Sequence, residues 1–322
     1  MSGAFDWAPT ATLQALRLRA RLLTRARDFF AARGVLEVET PILGASTATD
    51  PHIESLRTSV GGSARFLQTS PELFMKRLLA AGSGPIYQIT KVFRDGESGA
   101  RHNPEFTILE WYRPGLDHHG LMDEVDQFLQ VVLGCAASAR DTYEEVFRRW
   151  VGADPHRVGA PELQSRAEAL GLRAVSSSGF SREDWLHLLM AEAIEPHLGL
   201  ERPDFVYDFP LELKALARIR KGEGGTPNVA ERFEVFVQGV ELANGYHELT
   251  DASEQRERFL ADLQSRRTLG RAEVPLDERM IAALERGLPP CAGVALGFDR
   301  LVMIAADASD IGSVISFSDD RA

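Results

Sequence analysis

A chain of 322 residues with 44% hydrophobic and 26% charged residues at a net charge of −11 has an ordinary globular balance, enough to bury a substantial core. No run approaches the roughly 18 apolar residues of a membrane span, and the N-terminus, with Asp6 and Pro9, lacks the basic-then-apolar layout of a secretory signal, so a cytoplasmic protein is expected. Cys135 and Cys291, without CxxC spacing, make neither a disulfide framework nor a cysteine zinc site, and the acidic balance argues against a surface basic overall while allowing a local basic patch.

Along residues 11–33, Leu16, Ala20, Leu23, Ala26 and Phe30 recur at helical spacing, and Gly34 is placed to end the helix. The other face holds Arg17, Arg19, Arg21, Arg25 and Arg27 against Asp28 alone, a stripe that reads either as a solvated face or as a docking surface. Residues 35–41 alternate as a strand until Pro41 stops them. Ser70-Pro71-Glu72 starts a second helix, with Ser as N-cap, Pro at the first position and an acid in the first turn. Residues 86–93 and 106–112 are β-formers separated by the polar residues 94–103, which predicts a hairpin with a long loop. A third helix is expected over 121–133. In 136–225, helical stretches near 162–170 and 182–193, an SSSG turn at 176–179 and a KGEGG segment suggest an insertion within one domain. Beyond it, 233–237 and 240–243 form a hairpin around Gln238-Gly239, and Asn244-Gly245 is the strongest short turn signal in the chain. A helix starts near Asp251, and 293–301 passes from a strand through a glycine into a final helix. Hairpins in place of regular βαβ units indicate an antiparallel sheet flanked by helices.

Three constellations carry chemistry. A two-residue turn at Gln238-Gly239 sets Glu241 opposite Phe236, on the face of Glu234. Two carboxylates sharing a face suit a cation such as Mg²⁺; a solvent-facing acidic hairpin is the other reading. Arg94, followed by Arg101, His102 and Phe106, could hold a phosphate and stack a purine, or form a solvated hairpin tip. In Gly293 to Arg300 the glycines would admit a ligand to the backbone, with Arg300 at a helix start.

In order, Gly34-Val35-Leu36-Glu37-Val38-Glu39-Thr40-Pro41, then Phe93-Arg94 with Arg101-His102-Asn103-Pro104-Glu105-Phe106-Thr107, then Gly297-Phe298-Asp299-Arg300-Leu301 resemble motifs 1, 2 and 3 of class II aminoacyl-tRNA synthetases. The run from His102 to Thr107 and that from Glu241 to Leu249 resemble the lysyl subgroup, and the resemblance extends over 11–322. It implies an α+β class II synthetase catalytic fold, mostly antiparallel sheet flanked by helices, as a single domain over 1–322 with a helical insertion at about 136–225. Lysyl-tRNA synthetases carry an anticodon-binding barrel before motif 1, for which this sequence leaves no room, and tend to have Ala in the segment holding Ser70 and Gly at Ala295. The stand-alone arrangement resembles the elongation factor P lysine ligase family, paralogues of lysyl-tRNA synthetase that attach (R)-β-lysine to a lysine side chain of that factor.

That resemblance implies ATP and Mg²⁺ as cofactors and an aminoacyl adenylate attacked by an amine of translation elongation factor P. Arg94 would hold the α-phosphate, and Arg300 the γ-phosphate side while covering the adenine opposite Phe106. Asp95, Gly96, Glu97, His102, Asn103, Leu242 and Gly297 would line the nucleotide site, with Glu234 and Glu241 carrying Mg²⁺. For a lysine-like substrate, Glu248 and Tyr112 would take the distal ammonium and Glu72 and Glu110 the nearer amine, with Ser70, Pro71, Asn244 and Ala295 completing the pocket. The atoms added by Ser70 and Ala295 would favour the β-amine. The lysyl subgroup usually continues motif 2 as Arg-Asn-Glu, whereas here Arg94-Asp95-Gly96 precedes Glu97, which leaves open the acid that meets the adenine amino group. Motif 1 implies a homodimer. Binding of tRNA is not expected, given the acidic charge; a truncated lysyl-tRNA synthetase acting on tRNA or a small amine, and a non-catalytic synthetase relic, are the rival readings.

Overall fold

The structure, a computed structural model, describes residues 7–172 and 179–322, so 176–178 of the expected SSSG turn lie outside the described residues. The chain divides into two compact units: Met1–Gly115 with Thr250–Pro290 and Ala295–Ala322, and Leu116–Leu249 with Cys291–Val294.

The first unit opens with α1 (Leu13–Ala31), where the Thr12 side chain accepts from the Ala15 N–H. The helix buries Leu22, Ala26, Phe29 and Phe30, a stripe displaced from the one expected through Ala20 and Leu23. Arg19, expected on the exposed basic face, turns inward to Asp299 and Thr107. The cause is electrostatic: the Asp299 carboxylate is buried, and a buried carboxylate holds a cation close. Phe30 stacks on Tyr87 at 4.4 Å and meets Trp111 edge-on at 5.3 Å, which roots the helix in the core.

Next come β1 (Leu36–Glu37), β2 (Leu43–Gly44), β3 (Arg57–Val60), β4 (Ser63–Leu67), α2 (Glu72–Ala80), β5 (Ile86–Phe93) and β6 (Glu105–Pro114). Strands β2, β4 and β3 form a small antiparallel sheet in that order. The segment ending at Pro41 is a strand for two residues only, parallel to β5. Strands β5 and β6 pair antiparallel from Ile86↔Tyr112 to Phe93↔Glu105, the hairpin the sequence predicts.

The second unit holds α3 (His118–Leu133), capped by Asp117 and closed by Gly134 at φ 73°, then β7 (Ala139–Thr142), α4 (Tyr143–Trp150), α5 (Ala160–Ala169) and α6 (Arg182–Leu189). A turn of π-helix (Met190–Ile194) follows α6, then β8 (Asp204–Phe209), β9 (Ile219–Arg220), β10 (Val229–Val237) and β11 (Val240–His247). The strands run β11-β10-β8-β7 with β9 on β10, antiparallel except for the β7–β8 pair. The stretch 136–225 is therefore not purely helical: it also supplies β7, β8 and β9, because Phe205, Val206 and Phe209 are buried strand residues, and Val206 and Phe209 fill a core with Tyr143, Phe147, Trp185 and Leu189.

The first unit resumes with α7 (Ala252–Thr268), capped by Asp251, and α8 (Glu278–Gly287). Then β12 (Cys291–Gly297) leads directly into α9 (Phe298–Ala306), the strand-to-helix passage expected there. The architecture is the expected α+β one, a mostly antiparallel sheet flanked by helices. Among the described residues no helix is long and apolar enough to cross a membrane.

Candidate active site

In the first unit, the β5–β6 pairing closes on the loop 94–103, and the Arg94 N–H bonds the Pro104 carbonyl at its base. The Arg94 guanidinium lies 5.0 Å from the Phe106 ring centroid, donates to the Thr69 carbonyl and meets Glu97 at 3.4 Å. An arginine laid on an aromatic face and steadied from both sides has its guanidinium held in one orientation. Asp95 is anchored through its N–H to the Glu54 carbonyl, and Gly96 turns the chain at φ 79°. Across from this loop Arg300, in the first turn of α9 just beyond Gly297, donates to His102 Nε2 at 2.7 Å. An arginine can only donate, so His102 carries its proton on Nδ1. Asn103 is buried, donating to the Glu105 carbonyl and accepting from the Asp319 N–H.

Beside them lies a set of acids. Glu110 is buried and receives hydrogen bonds from the Ser70 hydroxyl (2.8 Å) and the Tyr112 hydroxyl (2.7 Å). Ser70 also accepts from the Glu72 N–H, but it is not the expected N-cap: α2 begins at Glu72, Pro71 holds the cap position and no side chain caps the helix. Glu72 itself is held by the buried Lys76 at 2.7 Å, a partner one helical turn on that sequence reasoning missed and i,i+4 spacing could have found. Ala295 lies in β12, half-buried.

In the second unit, Gln238 and Gly239 have φ of 54° and 67°, as a two-residue turn with both central residues left-handed requires. Val237 pairs Val240 and Phe236 pairs Glu241, but Val235 pairs Ala243, so Leu242 is a bulge in β11. The bulge has a consequence for the site. Glu241 and Asn244, three residues apart, both face with Glu234, since Glu234 pairs with Asn244 and shares its side of the sheet with Phe236. Arg232, two residues before Glu234, joins them: it donates to Glu234, to Asn244 Oδ1 and to the Leu213 carbonyl, and lies over Phe209. Burial pushes the Glu234 carboxyl up to about 8; Arg232 opposes the rise, and the charges of Glu241 and Glu195 add to it. Glu195, on a short turn of helix (Glu195–His197), is a third acid that no spacing in the sequence indicated. Glu248 is buried just past β11, its N–H on the Cys291 carbonyl.

The expected Asn244-Gly245 turn does not form; both residues lie inside β11. Gly245 serves close packing instead of a turn, since a Cβ there would sit 2.3 Å from the Phe233 ring.

The loop with Arg94, the strand-to-helix passage with Arg300 and the hairpin with Glu234 and Glu241 are the parts whose sequences resemble class II synthetases. The family model for tRNA synthetases class II (D, K and N) matches residues 4–321. A Vibrio cholerae protein named elongation factor P–(R)-β-lysine ligase is 51% identical over 98% of this chain and 99% of its own. Proteins of the same name from Proteus mirabilis and Edwardsiella ictaluri are 48% and 49% identical over the full length of both chains. The chain belongs to the class II synthetase family and, within it, to the family of elongation factor P–(R)-β-lysine ligases.

Proposed function

We propose that this chain joins (R)-β-lysine to ATP as the β-lysyl adenylate and transfers it to a lysine side chain of translation elongation factor P. The observation that carries the reading is end-to-end identity near half with ligases of that name. In the first step a substrate carboxylate oxygen bonds the α-phosphorus as the bond to pyrophosphate breaks; in the second an acceptor amine bonds the carbonyl carbon, AMP leaves and a proton is lost. Arg94 meets the α-phosphate charge as it develops, and Arg300, steadied by His102, meets the outer phosphates. Asp95, Gly96, Glu97, Asn103, Phe106, Leu242 and Gly297 line the nucleotide. Glu234 and Glu241 would hold Mg²⁺, whose charge offsets that of the phosphates; a buried carboxyl held up near 8 by burial and neighbouring acids is a group that a dication would bring back to its charged form.

For the amino acid, Glu248 and Tyr112 take the distal ammonium and Glu72 and Glu110 the β-amine, with Ser70, Pro71, Asn244 and Ala295 shaping the space. The Ser70–Glu110–Tyr112 bonds support a preset orientation for Glu110. The active form is a homodimer, a reading supported by the exposure of Leu36, Ile42 and Leu43 around motif 1. The protein works in the cytoplasm, where its acceptor and ATP are found, and does not use tRNA. Arg17, Arg21 and Arg25, exposed on α1, form part of the acceptor's docking surface.

The test is amino-acid-dependent ATP–pyrophosphate exchange with (R)-β-lysine against L-α-lysine, then mass analysis of elongation factor P from the same mixture. Exchange favouring β-lysine, with a matching mass gain, is expected; preference for α-lysine with transfer only to tRNA would overturn the reading.

A further inference from the structure

On the face of the β10–β11 hairpin away from Glu234 and Glu241, the alternation of side chains sets Glu231 and His247 side by side, with His247 Nδ1 2.7 Å from Glu231 Oε2. The first residue of α3, His118, comes against them, its ring 6.4 Å from that of His247 and nearly parallel to it. One donor atom from each of His118, Glu231 and His247 lies within 4.8 Å of the other two.

The His118 side chain is 1% exposed, and both its ring nitrogens are buried without a hydrogen bond. Buried imidazoles normally bond through at least one nitrogen. Asp208 lies nearest: its Oδ1 is 3.4 Å from His118 Nε2, an ion-pair distance, and also buried without a hydrogen bond. Asp208 further adopts φ 60°, a left-handed conformation that a non-glycine residue holds only when its surroundings require it. Arg220 binds Asp208 and lies 3.8 Å from Glu231, and Arg218 lies 3.7 Å from Glu231. These arginines hold the carboxylates, and both ring nitrogens of His118 stay without a hydrogen bond.

We infer that His118, Glu231 and His247, with Asp208 beside His118, bind a late first-row divalent cation, Zn²⁺ foremost. Two imidazole nitrogens and a carboxylate oxygen are a donor set such ions take, and a fourth ligand completes the tetrahedron. Binding would displace the proton shared by His247 and Glu231 to solvent. The bound ion would fasten the first turn of α3 to the hairpin whose opposite face carries Glu234 and Glu241.

The test uses the full chain purified without chelator. Elemental analysis is expected to find one zinc per chain, and after stripping, Co²⁺ is expected to restore the intense visible bands of four-coordinate cobalt. Calorimetric Zn²⁺ titration should then show affinity falling about tenfold or more in Glu231→Gln and in His247→Asn, and unchanged in His52→Ala with His187→Ala. Neither bound zinc nor a tetrahedral cobalt spectrum in the wild-type chain, or a fall of less than about tenfold in both site variants, overturns the assignment. The wild-type metal content and spectrum decide it even if a variant fails to fold.

Discussion

The Ser70 hydroxyl and the Glu110 carboxylate meet at 2.8 Å across forty residues of sequence, and Tyr112 takes the other oxygen of the same carboxylate. Glu110 thus has both oxygens engaged by hydroxyl donors, which fixes its direction. Ser70→Ala removes a buried hydrogen bond to that carboxylate, a cost of about 1–3 kcal/mol that a shifted substrate amine could recover. With Ala295→Gly added, the preference for (R)-β-lysine over L-α-lysine in kcat/KM for pyrophosphate exchange should fall about tenfold. An unchanged ratio in the double variant would show that these two side chains do not set the choice of amine.

The second prediction concerns pH. Without Mg²⁺, the folded protein keeps Glu234 protonated up to about 8, whereas an ordinary glutamate releases its proton near 4.5. Between those values the folded state binds more protons than the unfolded chain, so this group's contribution to stability falls as pH rises through the window. His119 and His156, held below their ordinary values mainly by burial, act in the opposite sense but are common to both proteins compared. Glu234→Gln should therefore make Tm, measured without Mg²⁺ from about pH 5 to 8, decline less steeply or rise relative to the wild type. Parallel profiles would mean that Glu234 is ionised throughout.

What could be read in advance divides by the range of the interaction. The β5–β6 hairpin, the Gln238-Gly239 turn and the passage into α9 were legible because a few adjacent residues decide each of them. The phase of α1 was not: apolar spacing alone favoured Leu23, while the inward position of Arg19 depends on Asp299, far along the chain. Asn244-Gly245 has the composition of a turn, but Phe233 on the neighbouring strand needs the glycine's open space. In the candidate site, Arg232 was recoverable from period-two spacing before Glu234, whereas Glu195 and the Ser70–Glu110 bond arise only when distant segments pack.

That packing over Gly245 leads to a third prediction. A methyl group there would lie 2.3 Å from Phe233 Cζ and 2.5 Å from Cε1, and the ring is fully buried. Gly245→Ala must displace the ring or the strand, at about 1–3 kcal/mol, the ordinary cost of overpacking. Because Asn244 and Tyr246 flank it on the Glu234 face, pyrophosphate exchange should fall as well. Chemical denaturation checks the first part; a midpoint equal to the wild type would show that the ring moves freely.

Arg94→Ala should lower the rate of pyrophosphate exchange about 10²–10³-fold, the usual effect of removing one donor aimed at developing charge. Its side chain is one-quarter exposed and its partners are a carbonyl, Glu97 and the Phe106 ring, so the fold should persist. Near-normal exchange in a folded Arg94→Ala protein would remove this residue from the phosphate site.

The arginines of α1 separate into two kinds, and substitution should tell them apart. Arg19 is largely buried, bonded to Thr107 and to the 2%-exposed Asp299, which itself accepts the Thr107 N–H at 2.6 Å. Arg19→Ala strands that carboxylate in the core beside the start of α9, and breaking a buried pair from one side costs about 3–5 kcal/mol. Arg17, Arg21 and Arg25 are exposed, where single substitutions usually change stability by no more than about 0.5 kcal/mol. Reversing the charge of these three should leave adenylation intact while lowering the rate of elongation factor P modification, with the loss shrinking as salt screens the docking. Equal modification rates at low salt would reduce the exposed stripe to a solvated helix face, whereas a stable Arg19→Ala protein would mean that Asp299 takes its charge balance from elsewhere.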